Sequence, residues 1–330
     1  GKVSLPPMGT GAWAWGDSLF WGYRKQEDEE LARVFSIAVA KGAGFFDTAE
    51  VYGLGRSESL LGKFTAALPT DAQGQVSVAT KFAALPWRTK RGDVVAAAER
   101  SVERLGRPVD LYQIHFPNAF ANAAYWDGLG DAFEKGLVRA VGVSNYGSAA
   151  VRACHAALAA RGIPLSTNQV QLSLVYRCPL ENGLKATCDE LGVKVVAYSP
   201  LALGLLSGKY SADRLPSGPR AQLARDLFGK EGGGGEGLLE AMRTVSHAHG
   251  DVPLTQVALN WVIAKGCTPI PGARTVDQLT QNLGTLDWTL STLELAALDE
   301  ASMSVPPLVP PEKAPFPKVD KDTGLVMFDS

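Results

Sequence analysis

Short runs rich in β-branched and aromatic residues recur along this chain, each paired with a stretch of helical spacing, and this alternation limits the folds open to it. The runs cover 44–48, 76–82, 109–116, 138–145, 165–172, 193–200, 267–272 and 283–290. Among them lie amphipathic segments at 28–41, 94–105, 125–135, 149–160, 180–191 and 254–265. Strand then helix, eight times, predicts an α/β protein built as a (β/α)8 barrel of the TIM type. The competing open, doubly wound sheet would carry G-x-G-x-x-G opening a helix after an early strand, and no such motif occurs.

A barrel accommodates all 330 residues as one domain, 1–330, with its core at about 40–300 and a proline-rich tail at 304–330. Hydrophobic residues make up 46% of the chain and charged residues 20%, enough apolar side chain for a large core. The net charge of -2 provides no basic footprint, so neither nucleic acid nor anionic lipid is an expected partner. No apolar run reaches the roughly 18 residues of a membrane helix. Cys154, Cys178, Cys188 and Cys267 form no C-x-x-C pair and read as reduced packing thiols. His247 and His249 sit two apart, which puts their imidazoles on different helix faces, and His155 also fits a helical segment, so no metal is expected. Without a heptad pattern the chain reads as a monomer or weak oligomer.

The opening 3–15, with Pro6, Pro7, Gly9 and Gly11, reads as a hairpin closing the barrel floor. Segment 203–237, with Pro216, Pro219 and glycines 232–235, is too irregular for an ordinary connection and reads as a functional loop over a ligand, following the sixth strand candidate. The tail holds Pro306, Pro307, Pro310, Pro311, Pro315 and Pro317, which bar a long helix and predict an extended segment bordering the mouth.

In such a barrel the C-terminal strand ends converge on one mouth, where the active site is built. Asp47 and Tyr52 end the first strand candidate, Lys81 the second and His115 the third. Taken singly, each has an ordinary explanation: a helix cap, packing, a solvated cation, a core histidine. Jointly they point to chemistry, because Asp and Lys on neighbouring strand ends form a buried pair that is costly unless compensated. A phenol with a pKa near 10 donates a proton poorly unless a cation favours its ionised form. Lys81 would supply that cation, Asp47 would hold the ammonium, and a neutral His115 would orient a substrate oxygen. This set suits carbonyl reduction with an external hydride source.

The segments FDTAEVYG (46–53), ATKF (79–82), LYQIHFP (111–117) and VGVSN (141–145) resemble the successive motifs of aldo-keto reductases, with plant and algal plastid members the nearest in appearance. The resemblance spans nearly the whole chain. It implies NADPH-dependent reduction of aldehydes or ketones to alcohols, a small-molecule carbonyl substrate, and Tyr52 as general acid/base supported by Asp47, Lys81 and His115. It also implies NADPH/NADP+ held in an extended form across the mouth, which accounts for the missing glycine fingerprint. Ser144, Asn145 and Gln169 would then hydrogen-bond the nicotinamide carboxamide, near Asp47, and Tyr198 would stack on the ring. SPLALGLLSGKY (199–210) is similar to the family's pyrophosphate loop, which implies contacts from Ser199, Pro200, Leu201, Gly204, Ser207 and Lys209, with Arg220 as a clamp. PIPGARTVDQLTQNLG (269–284) is similar to the adenosine-phosphate site and implies Gly272, Arg274, Gln278, Gln281 and Asn282, with Arg274 taking the 2'-phosphate.

Two positions depart from the family pattern. Gln278 stands where some relatives carry Arg, which bears on the strictness of NADPH preference. Gly11, Ala12 and Trp13 stand where many carry Gly-Thr-Trp, which alters a contact near the nicotinamide but leaves Trp13 as an aromatic wall. Trp15, Trp21 and Trp87 are further candidates for that wall. A second function compatible with the resemblance is an NADPH-binding regulatory subunit acting through a protein partner, similar to potassium-channel β subunits. A third keeps the enzyme and gives it a specialised substrate, such as a vitamin B6 aldehyde, a lipid-derived aldehyde or a plant secondary metabolite. The end PFPKVDKDTGLVMFDS is similar to plastid members' tails, and the chain opens on Gly1 rather than Met, so a chloroplast location with a removed transit peptide is expected, the cytoplasm being the alternative.

Overall fold

The computed structural model describes residues 5–118, 120–229, 234–306, 318–319 and 326–327. Eight parallel strands form one sheet in chain order: β1 Thr10–Gly11, β2 Phe45–Asp47, β3 Ser77–Phe82, β4 Leu111–Ile114, β5 Val141–Ser144, β6 Leu165–Gln171, β7 Lys194–Tyr198 and β8 Thr268–Pro269. A parallel bridge between Gly11 and Gly272 joins the first strand to the segment that follows the last. The N–H groups of Gly9 and Gly11 complete the seam by donating to the carbonyls of Pro269 and Pro271, each at 3.0 Å. The architecture is a (β/α)8 barrel.

Two sequence expectations are corrected here. Among the described residues of 3–15 there is no hairpin: Thr10–Gly11 is itself a barrel strand, parallel to β2. Glycine at position 11 permits this close approach, since a Cβ there would lie 2.8 Å from the Ile270 carbonyl oxygen. Segment 283–290 is not a strand but ends a helix, Val276–Leu283, and turns through a 3-10 helix, Gly284–Asp287. Buried Asn260 fixes that turn by donating through Nδ2 to the carbonyls of Thr285, 3.3 Å away, and Trp288, 2.8 Å away.

The helices pack apolar stripes onto the outside of the sheet. Helix Asp28–Ala40, for example, buries Leu31, Val34, Phe35, Ala38 and Val39, the three- and four-residue spacing of one helix face. Segment 203–237 folds into a 3-10 turn Ala202–Ser207, a second at Gly218–Arg220, and helix Ala221–Phe228 after β7; residues 230–233 lie outside the described ones. Most of the proline-rich tail also lies outside them, although Lys318–Val319 and Val326–Met327 pair antiparallel. Among the described residues no helix is long and apolar enough to cross a membrane.

Side chains alternate along a strand, so each strand sends every second residue inward. The barrel's inner core is a cluster of Phe45, Ala79, Leu111, Ala140, Val196 and Ile270. Farther toward the strands' C-terminal ends lie buried polar residues, Asp47, Lys81, Gln113, Ser144, Thr167 and Gln169. An apolar plug therefore supports a polar layer directly below the mouth.

Candidate active site

Lys81 is fully buried and Asp47 nearly so. Lys81 Nζ donates to Asp47 Oδ1 at 2.5 Å and to the Thr48 carbonyl at 2.8 Å, and Gln169 Nε2 donates to the other carboxylate oxygen at 2.7 Å. The pair thus has the extra hydrogen bonds that a buried ion pair requires. Burial lowers the Lys81 ammonium from its ordinary value, with the Asp47 charge opposing the shift.

Tyr52 lies past β2, where a turn through Gly53, Leu54 and Gly55, all at positive φ, leads into helix Arg56–Ala66. Only glycine fits at 53, where a Cβ would fall 2.3 Å from the Gly16 carbonyl oxygen in the neighbouring loop. Lys81 Nζ lies 5.1 Å from the Tyr52 ring centroid. The His115 ring stands edge-on to Tyr52 at 5.9 Å and 78°. Burial first, then the Asp47 charge, push the Tyr52 phenol above its ordinary range. Tyr52 is therefore protonated at neutral pH, the state of a proton donor.

Burial, reinforced by Lys81, holds His115 well below 6.5. In the unfolded chain the imidazole takes up a proton as pH falls through about 6.5, whereas the folded site resists it, so this group lowers stability as pH drops below that value. We expect the His115 imidazole to stay neutral at pH 6 in nuclear magnetic resonance titration; a midpoint near 6.5 would contradict the burial argument.

Ser144, Asn145, Gln169 and Tyr198 form one connected group with this cluster. Ser144 Oγ donates to the Gln169 carbonyl at 2.8 Å, and Asn145 Nδ2 donates to the His115 carbonyl and Ser144 Oγ, both at 3.1 Å. The Tyr198 hydroxyl donates to Asn145 Oδ1 at 3.0 Å. Beyond β7, Ser199, Ala202, Leu203 and Gly204 all take positive φ, at 50°, 48°, 55° and 91°. Left-handed turns of this kind build the N–H concavities that hold anions. Arg220 lies against the turn, with Nη1 donating to the Leu203 carbonyl at 3.1 Å. Pro200 is buried, Leu201 half-buried and Lys209 exposed, while Ser207 Oγ donates to the Gly204 carbonyl at 2.6 Å.

Gly272 lies on the barrel seam and its carbonyl accepts from Asn282 Nδ2 at 3.4 Å. Arg274 follows, its N–H donating to Gln278 Oε1 at 2.8 Å, and the Gln281 side chain is exposed. Ala12 is fully buried, donates its N–H to the Asp47 carbonyl at 2.8 Å and accepts from Ser57 Oγ at 2.9 Å.

Trp13 faces Tyr52 at 6.2 Å and belongs to an aromatic group with Phe20, stacked at 5.0 Å, and Trp21, edge-on at 5.4 Å. Trp21 thus packs against Trp13 and Phe20. Trp15 is not part of the wall: it is fully buried in the outer core, where Nε1 donates to the Ala273 carbonyl at 2.9 Å. Trp87 is 75% exposed. Phe20, Gln113 and Thr167 were not singled out from sequence; a glutamine two residues before His115 in an otherwise apolar strand was the available signal for Gln113. Cys154, Cys188 and Cys267 are buried, and burial pushes the Cys188 thiol up to about 11 and Cys267 up to about 12. Among the described residues no group of His, Cys, Asp and Glu is placed to hold a metal ion.

Comparison with known proteins agrees with this architecture. The Aldo/keto reductase family matches residues 7–303. The chain is 43% identical to the chloroplastic pyridoxal reductase of Arabidopsis thaliana over 317 residues, covering 93% of this chain and 86% of that protein. It is 38% identical to an uncharacterised oxidoreductase of Mycobacterium tuberculosis over 315 residues, covering 93% of this chain and 92% of the relative. Among solved structures, an aldo/keto reductase from Klebsiella pneumoniae in complex with NADP and acetate is 25% identical, with a TM-score of 0.69 over 92% of this chain and 93% of that one. A thermostable aldo-keto reductase bound to the inhibitor epalrestat is 28% identical, with a TM-score of 0.72 over 90% and 95% of the two chains. This chain belongs to the aldo/keto reductase family.

Proposed function

We propose that the chain reduces aldehydes or ketones to alcohols with NADPH as hydride source and Tyr52 as proton donor. The observation that carries this reading is the buried cluster at the barrel mouth, where a protonated Tyr52 lies beside the Asp47–Lys81 pair and a neutral His115. NADPH, when bound, supplies hydride to the carbonyl carbon. Tyr52 delivers a proton to the carbonyl oxygen, and His115, unable to carry charge at neutral pH, orients that oxygen by a hydrogen bond. Lys81 faces the Tyr52 ring and offsets the negative charge that develops as the proton leaves, while Asp47 holds the ammonium in place.

The residues present fit this cofactor. Left-handed turns and Arg220 beyond β7 suit a diphosphate, and Ser144, Asn145 and Gln169, hydrogen-bonded to one another and to the Asp47–His115 cluster, offer amide and hydroxyl groups for the nicotinamide end, with the Tyr198 hydroxyl on Asn145. Gly272, Arg274, Gln278, Gln281 and Asn282 would hold the adenosine end. Relatives solved with NADP and with NADPH support the assignment. The aromatic group Trp13, Phe20 and Trp21 offers flat faces to a planar substrate, and the 43% identical pyridoxal reductase supports an aromatic aldehyde of the pyridoxal type. That relative's chloroplastic name likewise supports a plastid location.

Loss of reduced-nicotinamide absorbance against a panel of pyridoxal-type, aromatic and aliphatic aldehydes tests the reading. Turnover led by the planar aldehydes is expected. Tight NADPH binding with no turnover of any of them would favour a regulatory role. We also expect Arg274→Ala to weaken NADPH about tenfold while leaving NADH nearly unchanged; equal weakening of both would move the 2'-phosphate contact elsewhere.

A further inference from the structure

The groups expected to meet the cofactor's 2'-phosphate are already engaged by carboxylates of this same chain. Arg274 Nη2 pairs with Glu27 Oε2 at 2.6 Å, and its Nη1 donates to the Trp21 carbonyl at 2.9 Å. Two residues on, the Val276 N–H, first in helix Val276–Leu283, donates to Glu30 Oε1 at 2.9 Å. A guanidinium together with an N–H at a helix start is the donor set a phosphate takes. Glu27 precedes helix Asp28–Ala40 and Glu30 lies in its first turn, so one short segment sets a carboxylate on each donor.

These contacts can exchange. The side chains of Arg274 and Glu27 are 31% and 23% exposed, so their pair is not sealed from water. Each carboxylate also has a second partner: Glu27 Oε1 accepts from the Arg24 N–H at 3.3 Å, and Glu30 Oε2 pairs with Arg33. Neither is left without one when the Arg274 region turns to another anion.

We propose that Glu27 and Glu30 are specificity-determining residues that imitate a phosphate and compete with the 2'-phosphate for Arg274 and the Val276 N–H, thereby setting how far the chain prefers NADPH over NADH. The proposal rests on the reading above that Arg274 meets the 2'-phosphate. A phosphate entering here must displace the Glu27 carboxylate and then remain beside both negative charges, so its gain in affinity is reduced. Glutamine at either position keeps shape and an acceptor oxygen while removing the charge.

Calorimetric binding of adenosine 2',5'-bisphosphate and of 5'-AMP, which lacks only the 2'-phosphate, separates the possibilities without recourse to turnover. Glu27→Gln and Glu30→Gln should each bind the bisphosphate about fivefold more tightly than wild type, with 5'-AMP unchanged. Arg274→Ala should abolish the advantage of the bisphosphate over 5'-AMP. If it does so while both glutamine variants bind the bisphosphate like wild type, the competition is overturned and the Arg274 assignment stands. If Arg274→Ala leaves the advantage intact, that assignment fails and takes the proposal with it. Equal tightening of 5'-AMP in the glutamine variants also overturns it, since the carboxylates would then act on the nucleotide as a whole.

Discussion

Tyr52→Phe should cut carbonyl reduction by a factor on the order of 10²–10⁴, the usual contribution of a positioned acid, while leaving NADPH affinity within a few-fold of wild type. The substitution deletes one hydroxyl and keeps the ring that faces Trp13, His115 and Lys81, so the aromatic packing survives. Because burial and the Asp47 charge hold the phenol above its ordinary range, wild-type Tyr52 carries its proton throughout the neutral region. Reduction, which consumes that proton, should therefore vary little with pH there. Alcohol oxidation needs the phenolate and should rise with pH. Single-turnover rates in both directions, with cofactor affinity by fluorescence titration, check this. Undiminished reduction in Tyr52→Phe would remove Tyr52 from the chemistry, and lost NADPH binding would mean the hydroxyl serves the cofactor instead.

The barrel was legible because seven of its strands fall within the β-rich runs that alternate with helical spacing. The remaining strand, Thr10–Gly11, was not, since it is two residues long and joins its neighbours through backbone alone. Strand-like residues at 283–290 misled because the deciding contact, from Asn260 to the carbonyls of Thr285 and Trp288, comes from a different helix. Asp47, Lys81 and His115 could be placed at strand ends by counting. The polar layer of Gln113 and Thr167 beside them needs the pairing register, in which Gln113 aligns with Lys81 and Thr167 with Gly142. The protonation state of Tyr52 needs the structure for a related reason: charge partners can be guessed from sequence, but the depth of burial that raises the phenol cannot. Least legible was the Glu27–Arg274 pair, 247 residues apart, which puts an acidic helix start against a segment whose resemblance implied a phosphate.

Lys81→Met should destabilise the fold by about 3–5 kcal/mol, because it leaves the Asp47 carboxylate buried without its cation. Gln169 Nε2 would still donate to Asp47 Oδ2, but one neutral hydrogen bond does not replace the ammonium 2.5 Å from Oδ1. The loss comes from a buried charge without a counter-ion, so removing the carboxylate charge as well should relieve it. Asp47→Asn combined with Lys81→Met removes both charges and should recover most of the stability, as replacement of a whole buried pair by neutral groups does elsewhere. Turnover should not recover in the double variant, since the cation facing the Tyr52 ring is gone. Urea unfolding of wild type, both single variants and the double variant forms the required cycle, with an unchanged slope confirming that the denatured state is comparable. If Lys81→Met alone is as stable as wild type, the buried pair is not what secures the polar layer. If the double variant regains activity, Lys81 supports folding rather than proton transfer, and the charge that assists Tyr52 lies elsewhere.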